Sequence, residues 1–208
     1  MKKGEILKYP LDGVTIKILE EVTQTKGGLT TISKIAYEEQ ICIFKSVSKK
    51  CLNSEDGVKH MYNEKQALTE LQHPNITKLI KTCKDQNDLC FILELMEGTP
   101  IHKLLQTSGK LTKNFTRLII YQVVRLLQYL HGNGWVYRDL KASNLIIDSD
   151  GIVKLVDLGF AKKIGQEKTY SVLGTCHAMP IEIMDPDGYG FSVDFWSLGI
   201  LAYELIFG

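Results

Sequence analysis

The 208-residue chain carries 25 Lys and Arg against 24 Asp and Glu, a formal charge of +1, with 44% apolar and 24% charged residues. Such a composition belongs to one globular domain or two small lobes and excludes disordered, collagenous and disulfide-stapled classes. The near-neutral balance gives no basic footprint for nucleic acid, and no stretch approaches the roughly 18 uninterrupted apolar residues of a membrane span.

The residues 1–13 start basic but lack an apolar signal-peptide core, so they are expected to be an extension ahead of the first lobe. Residues 14–20 alternate apolar and polar, as do 33–44, and Gly27 and Gly28 lie between them. This pattern predicts an antiparallel meander. A helical pattern covers 56–71 and stops before His73-Pro74-Asn75; strands return at 76–83 and 89–95. Beyond Gly98 a short helix is expected at 101–106. A long one follows from a Thr112 cap to His131, apolar nearly all round and so expected to be a buried core element of the C-terminal half. Short strands at 144–148 and 152–156 precede an apolar helix at 193–207. The expectation is an α+β chain of two lobes, strand-rich over 14–95 and mainly helical over 96–208, joined near 94–98. Five cysteines (Cys42, Cys51, Cys83, Cys90 and Cys176) lack any C-x-x-C pairing and fit reduced thiols of a cytoplasmic protein.

Two segments carry chemistry. The first is Tyr137-Arg138-Asp139-Leu140-Lys141-Ala142-Ser143-Asn144; Asp157-Leu158-Gly159 follows 157 − 144 = 13 residues after Asn144. Phosphoryl transfer needs chiefly positioning and charge neutralisation. Asp139 can orient an attacking hydroxyl and take its proton, and Lys141 can reach the transferring oxygens. Asn144 and Asp157 supply hard oxygen ligands of the kind magnesium prefers. Separately these pieces are polar loops and turns; their order and spacing give them meaning.

With the runs LVDLGFAKKIG at 155–165 and VDFWSLGILAYEL at 193–205, these segments resemble the catalytic domain of the protein kinases. Within them the chain is most similar to the cyclic-nucleotide-dependent serine/threonine kinases of the AGC group, in particular the cyclic-GMP-dependent branch, over residues 14–208. Tyr137 stands where the family usually has His. The resemblance implies a two-lobed kinase fold, ATP and Mg2+, and a protein substrate presenting a Ser or Thr hydroxyl. It implies Asp139 as base, Lys141 beside it, Lys45 holding phosphates with Glu64 as its ion-pair partner, and Asn144 and Asp157 on the metal. Gly27, Gly28, Ile32, Ile43, Lys45, the backbone of Glu94 and Met96, and Leu145 would surround the nucleotide. Ser171 matches the family's phosphorylation position, with Arg138 receiving the phosphate and Thr175 near Asp139. A regulatory domain or subunit would lie outside these residues, and neither nucleic acid nor a membrane segment is implied.

Several positions depart from the family pattern. Thr25 and Thr30 replace two of the three phosphate-loop glycines, and Ile43 stands where a small Ala lines the adenine site. Pro100 and Ser143 occupy positions where basophilic relatives carry acids, which puts a preference for basic substrates in doubt. Glu182 matches an acid whose arginine partner falls beyond residue 208, so the second lobe is expected to be incomplete. These departures keep a second reading open, a non-catalytic kinase-fold module that binds partners.

Overall fold

The computed structural model describes residues 3–9, 12–25, 29–173 and 179–208. They divide into two compact units, 1–61 with 77–95, and 62–76 with 96–208.

The first unit is built on a six-stranded sheet: β1 (Ile6–Tyr9), β2 (Val14–Gln24), β3 (Thr30–Tyr37), β4 (Gln40–Ser48), β5 (Leu79–Lys84) and β6 (Asp88–Glu94). Their order is β1-β2-β3-β4-β6-β5, and every neighbouring pair is antiparallel. Alternation decides the faces, because successive strand side chains point to opposite sides. Ile16, Ile18, Ile35, Cys42, Phe44, Cys90 and Ile92 go to one buried face, where Tyr9 lies against Phe44 with ring centroids 6.1 Å apart. The opposite face carries the row Ile32–Lys45–Phe91 and, two residues along, Lys34–Ile43–Leu93. The alternating stretch 33–44 is not one strand. It turns at Glu38 and Glu39, whose φ values of 45° and 64° put both in the left-handed region that a two-residue hairpin turn uses to match the right-handed twist of its strands.

Two expectations are corrected here. Residues 6–9 do not form an extension: Ile6–Tyr9 pairs with β2, and the Tyr9 ring is 3% exposed in the core. Four residues are too few for a periodicity signal, and long-range burial decides. Helix α1 (Glu55–Glu70) was expected wholly within the 14–95 lobe, but its residues from Tyr62 on group with the second unit. Its buried positions, Glu64, Ala67 and Leu68, all fall in that later half.

The second unit contains β7 (Thr99–Pro100), α2 (Ile101–Ser108), α3 (Lys113–Gly132), β8 (Trp135–Val136), β9 (Leu145–Ile147), β10 (Val153–Leu155), β11 (Lys162–Lys163) and α4 (Ser192–Phe207). Thr112 caps α3, its Oγ1 accepting from Phe115 N at 3.4 Å. α3 is not buried all round. Thr116, Ile119, Val123, Leu126, Leu127 and Leu130 form one buried stripe at helical spacing, while Leu118 and Tyr121 are exposed. Gly98 is required where the chain enters this unit: a Cβ there would lie 2.5 Å from Ile147 O. The hairpin β9–β10 pairs Leu145 with Leu155, which places Asn144 and the residues after Leu155 together at its open end.

If Phe44 anchors the sheet core, Phe44→Ala should lower unfolding free energy by about 3–5 kcal/mol, the range for truncating a buried aromatic. Ile41→Ala, on the opposite and exposed face, should stay within about 0.5 kcal/mol. Urea titrations of both variants check this, and equal losses would contradict the facing assigned to β4.

Candidate active site

In the second unit a buried acid fixes the backbone just before the expected Asp139. Asp194, at the start of α4, is fully buried and takes three donors. Its Oδ1 accepts from Arg138 N at 2.7 Å, and its Oδ2 accepts from Tyr137 N at 2.9 Å and lies 2.8 Å from His131 Nε2. Arg138 is held at φ 70°, a left-handed conformation that non-glycine residues adopt at a cost. The following carboxylate, Asp139, is 5% exposed.

Lys141 Nζ lies 3.0 Å from Asp139 Oδ1 and 2.8 Å from Oδ2, so a cation sits across the carboxylate. Asn144 Nδ2 donates to Asp139 Oδ2 at 2.8 Å, to Asp139 O at 2.9 Å and to Tyr137 Oη at 3.1 Å. Tyr137 Oη in turn donates to Asp157 O at 2.9 Å. Burial pushes the Tyr137 phenol well above its usual pKa, with the charges of Asp157 and Asp139 adding to the effect, so it stays a donor. One hydroxyl therefore ties the Asp139 loop to Asp157. Val156 N donates to Asn144 O at 3.1 Å, which closes the same connection through the backbone.

Asp157 Oδ1 accepts from Gly159 N at 2.9 Å. A Cβ on Gly159 would lie 3.1 Å from that oxygen and 3.7 Å from Glu64 Oε2, so glycine there keeps both carboxylates uncrowded. Because the Asn144 amide nitrogen faces Asp139 and Tyr137, its Oδ1 turns the other way. An amide oxygen and a carboxylate at one hairpin end fit a magnesium ion, which takes few protein ligands and completes its shell with water and phosphate. Among the described residues, no group of three or more His, Cys, Asp or Glu offers an alternative metal cage.

Arg138 Nε donates to Phe160 O at 2.8 Å and Nη1 to Tyr189 Oη at 3.2 Å. Tyr189 Oη donates to Ser171 O at 2.5 Å, so a single tyrosine separates Arg138 from the Ser171 backbone. Thr169 is different: it is 1% exposed and its Oγ1 accepts from Lys162 Nζ at 2.7 Å. Thr175 lies outside the described residues, as do Gly27 and Gly28.

In the first unit, Lys45 on β4 faces Ile32 on β3 directly, and Ile43 is on the same sheet face. Glu94, at the end of β6, has its N–H on Lys78 O at 2.9 Å. Its carbonyl accepts from Thr77 Oγ1 at 3.5 Å. Met96 is half-buried and Leu145 fully buried in the second unit. Thr25, just after β2, and Thr30, at the start of β3, bond to each other. Thr25 N donates to Thr30 O at 2.9 Å, and Thr30 N donates to Thr25 Oγ1 at 2.9 Å.

Sequence alone did not indicate Tyr189 or His131 as site residues. His131 lies 63 residues from Asp194, and no local pattern joins them.

The family described as the protein kinase domain matches residues 23–208. The chain is 40% identical over 193 residues to cGMP-dependent protein kinase 2 of Rattus norvegicus and of Homo sapiens, covering 90% of this chain and 25% of theirs. It is 32% identical over 203 residues to cAMP-dependent protein kinase catalytic subunit 3 of Drosophila melanogaster, covering 98% of this chain and 34% of that one. It thus spans about a quarter to a third of the length of these curated relatives.

Removing the buried acid tests its organising role. Asp194→Ala leaves two backbone N–H groups and His131 without their acceptor, and should cost on the order of 3–5 kcal/mol. Hydrogen exchange should show protection lost first at the Tyr137 and Arg138 amides; retained protection there would refute the role.

Proposed function

Because the chain belongs to the protein kinase domain family, we propose that it is the catalytic core of a serine/threonine protein kinase, moving the γ-phosphoryl group of ATP to a protein hydroxyl. The observation that carries this reading is the Asp139–Lys141–Asn144 cluster, tied through Tyr137 to Asp157. Asp139 orients the substrate hydroxyl and accepts its proton. Lys141 balances the charge on Asp139 and lies within reach of a transferring phosphoryl oxygen. Lys45 and Glu64 are assigned to holding the nucleotide phosphates, and the Glu94 carbonyl, Met96, Ile32, Ile43 and Leu145 to the base. Asn144 and Asp157 would hold magnesium, which supplies charge neutralisation on the phosphate oxygens. Ser171 is the proposed modification position, being partly exposed where Thr169 is buried.

The test compares γ-phosphoryl transfer to Ser/Thr peptides with binding of Mg-ATP. Asp139→Asn should abolish transfer, lowering kcat by at least about a hundredfold as expected for losing a positioned base, while nucleotide affinity stays within a few-fold. Equal transfer by both proteins would remove Asp139 from the role assigned to it.

The second reading, a non-catalytic binding module, is favoured by one observation. The Thr30 N–H, which a glycine-rich loop would offer to phosphate, is held by Thr25 Oγ1. Thr25→Gly releases that amide and should tighten Mg-ATP binding by about two- to tenfold, the worth of one modest hydrogen bond. Thermal-shift titration reads the change through mass action. Nucleotide binding without transfer in the unsubstituted protein would decide for the module.

A further inference from the structure

The first unit carries a second pair of reactive side chains, distant in chemistry from phosphoryl transfer. Cys83 on β5 and Cys90 on β6 are direct cross-strand partners, both on the buried face and 4% and 2% exposed. Opposed residues of an antiparallel pair have Cα atoms about 4.5–5.5 Å apart. That separation falls inside the range of about 4.4–6.8 Å that disulfides span. Cys90 Sγ lies 3.8 Å from Tyr9 Oη and 3.8 Å from Ser46 Oγ.

This surrounding makes the two sulfurs unequal. Hydrogen bonding from Cys83, then from Ser46 and Tyr9, pulls the Cys90 thiol below its ordinary pKa against the opposing effect of burial. Cys83 is pushed the other way, by its bond to Cys90 and by burial. Cys42 is buried and Cys51 lies in the turn after β4. β5 is the outermost strand of the sheet, bonded on one side alone, so its opening is the local route by which a small oxidant reaches the pair.

We propose that Cys83 and Cys90 are a redox modification site, closing to a reversible intramolecular disulfide on reaction with hydrogen peroxide. Cys90 thiolate attacks one peroxide oxygen, the O–O bond breaks, and Cys90 sulfenic acid and hydroxide form. Cys83 then attacks the Cys90 sulfur, the S–O bond breaks, and the sulfenic oxygen leaves as water with the Cys83 thiol proton. In sum two thiols and one peroxide give one disulfide and two waters, with two electrons passing from sulfur to oxygen. The product links the edge strand covalently to β6 beside Ser46, the residue next to Lys45.

The chain itself, treated with peroxide, alkylated and digested with trypsin, provides the test. Cleavage after Lys84 separates the two cysteines, so a linked peptide pair reads the bond directly. The expected result is loss of alkylation at Cys83 and Cys90 together, restored by a thiol reductant, while Cys51 remains alkylated. In Cys83→Ser, Cys90 should stop at the sulfenic acid and be trapped by dimedone; mapping of the unsubstituted chain stands whether or not that variant folds. Oxidation of Cys51 or chain-to-chain linkage, with Cys83 and Cys90 still alkylated, would overturn the proposal. So would a bond forming equally fast in urea, where the register no longer holds the sulfurs together.

Discussion

A charge with no exposure must be compensated, and in this molecule the compensation of Asp194 sets the geometry of the second unit's chemistry. A carboxylate removed from water is costly unless its oxygens are fully hydrogen-bonded. Asp194 meets that demand with the amides of Tyr137 and Arg138 and the ring of His131. Two successive amides aimed at one carboxylate leave the chain little choice of path. Arg138 goes to φ 70°, a conformation costing about 1–3 kcal/mol that the surrounding bonds must offset. The turn so forced delivers Asp139 to Lys141 and Asn144, while the Arg138 side chain goes to Phe160 O and Tyr189. Backbone strain and side-chain placement are two results of one buried acid.

Much of this was legible in the sequence because it is local. Helix periodicity marks α3 and α4, alternation marks β2 to β4, and the Asp139–Asn144 loop keeps its spacing to Asp157. What escaped depends on partners far along the chain. β1 is four residues long and is a strand because Tyr9 finds Phe44, 35 positions on. The alternation in 33–44 hid a hairpin, since Glu38-Glu39 lacks the glycine or asparagine that usually announces left-handed turn residues. α3 looked apolar all round because composition cannot show which of Leu118 and Ile119 meets the core; the structure exposes the first and buries the second. Tyr137 could be placed in the motif by position, but its hydroxyl role needs the Asp157 carbonyl, 20 residues away.

The same contrast separates the two candidate phosphorylation residues between Lys162 and Gly174. Thr169 and Ser171 are two positions apart and chemically alike in sequence. In the fold, Thr169 exchanges both backbone hydrogen bonds with Tyr189 and gives its oxygen to Lys162, so its hydroxyl is committed and hidden. Ser171 uses its carbonyl on Tyr189 and remains partly exposed. Tyr189 thus holds one residue by its backbone and the other by its phenol, and it shares that phenol with Arg138.

The departures from the family pattern fall unevenly, and their location determines what kind of change they can cause. Thr25, Thr30 and Ile43 belong to the first unit, where the proposed function puts the holding of a nucleotide. Asp139, Lys141, Asn144 and Asp157 belong to the second, where the proposed function puts the reacting atoms, and Asp139 is bonded there to Lys141 and Asn144. Interactions made equally in ground and transition states alter KM, whereas those made at the reacting centre alter kcat. On the proposed reading, a Thr30 amide already committed to Thr25 Oγ1 would be one contact fewer for phosphate, and Ile43 adds a branched side chain to the sheet face of Lys45. Both would act on the resting nucleotide, and neither on the carboxylate proposed to position the hydroxyl. A kinase altered in this way would be expected to work at higher nucleotide concentration with its chemical step preserved, which is why binding and transfer have to be measured separately in this protein.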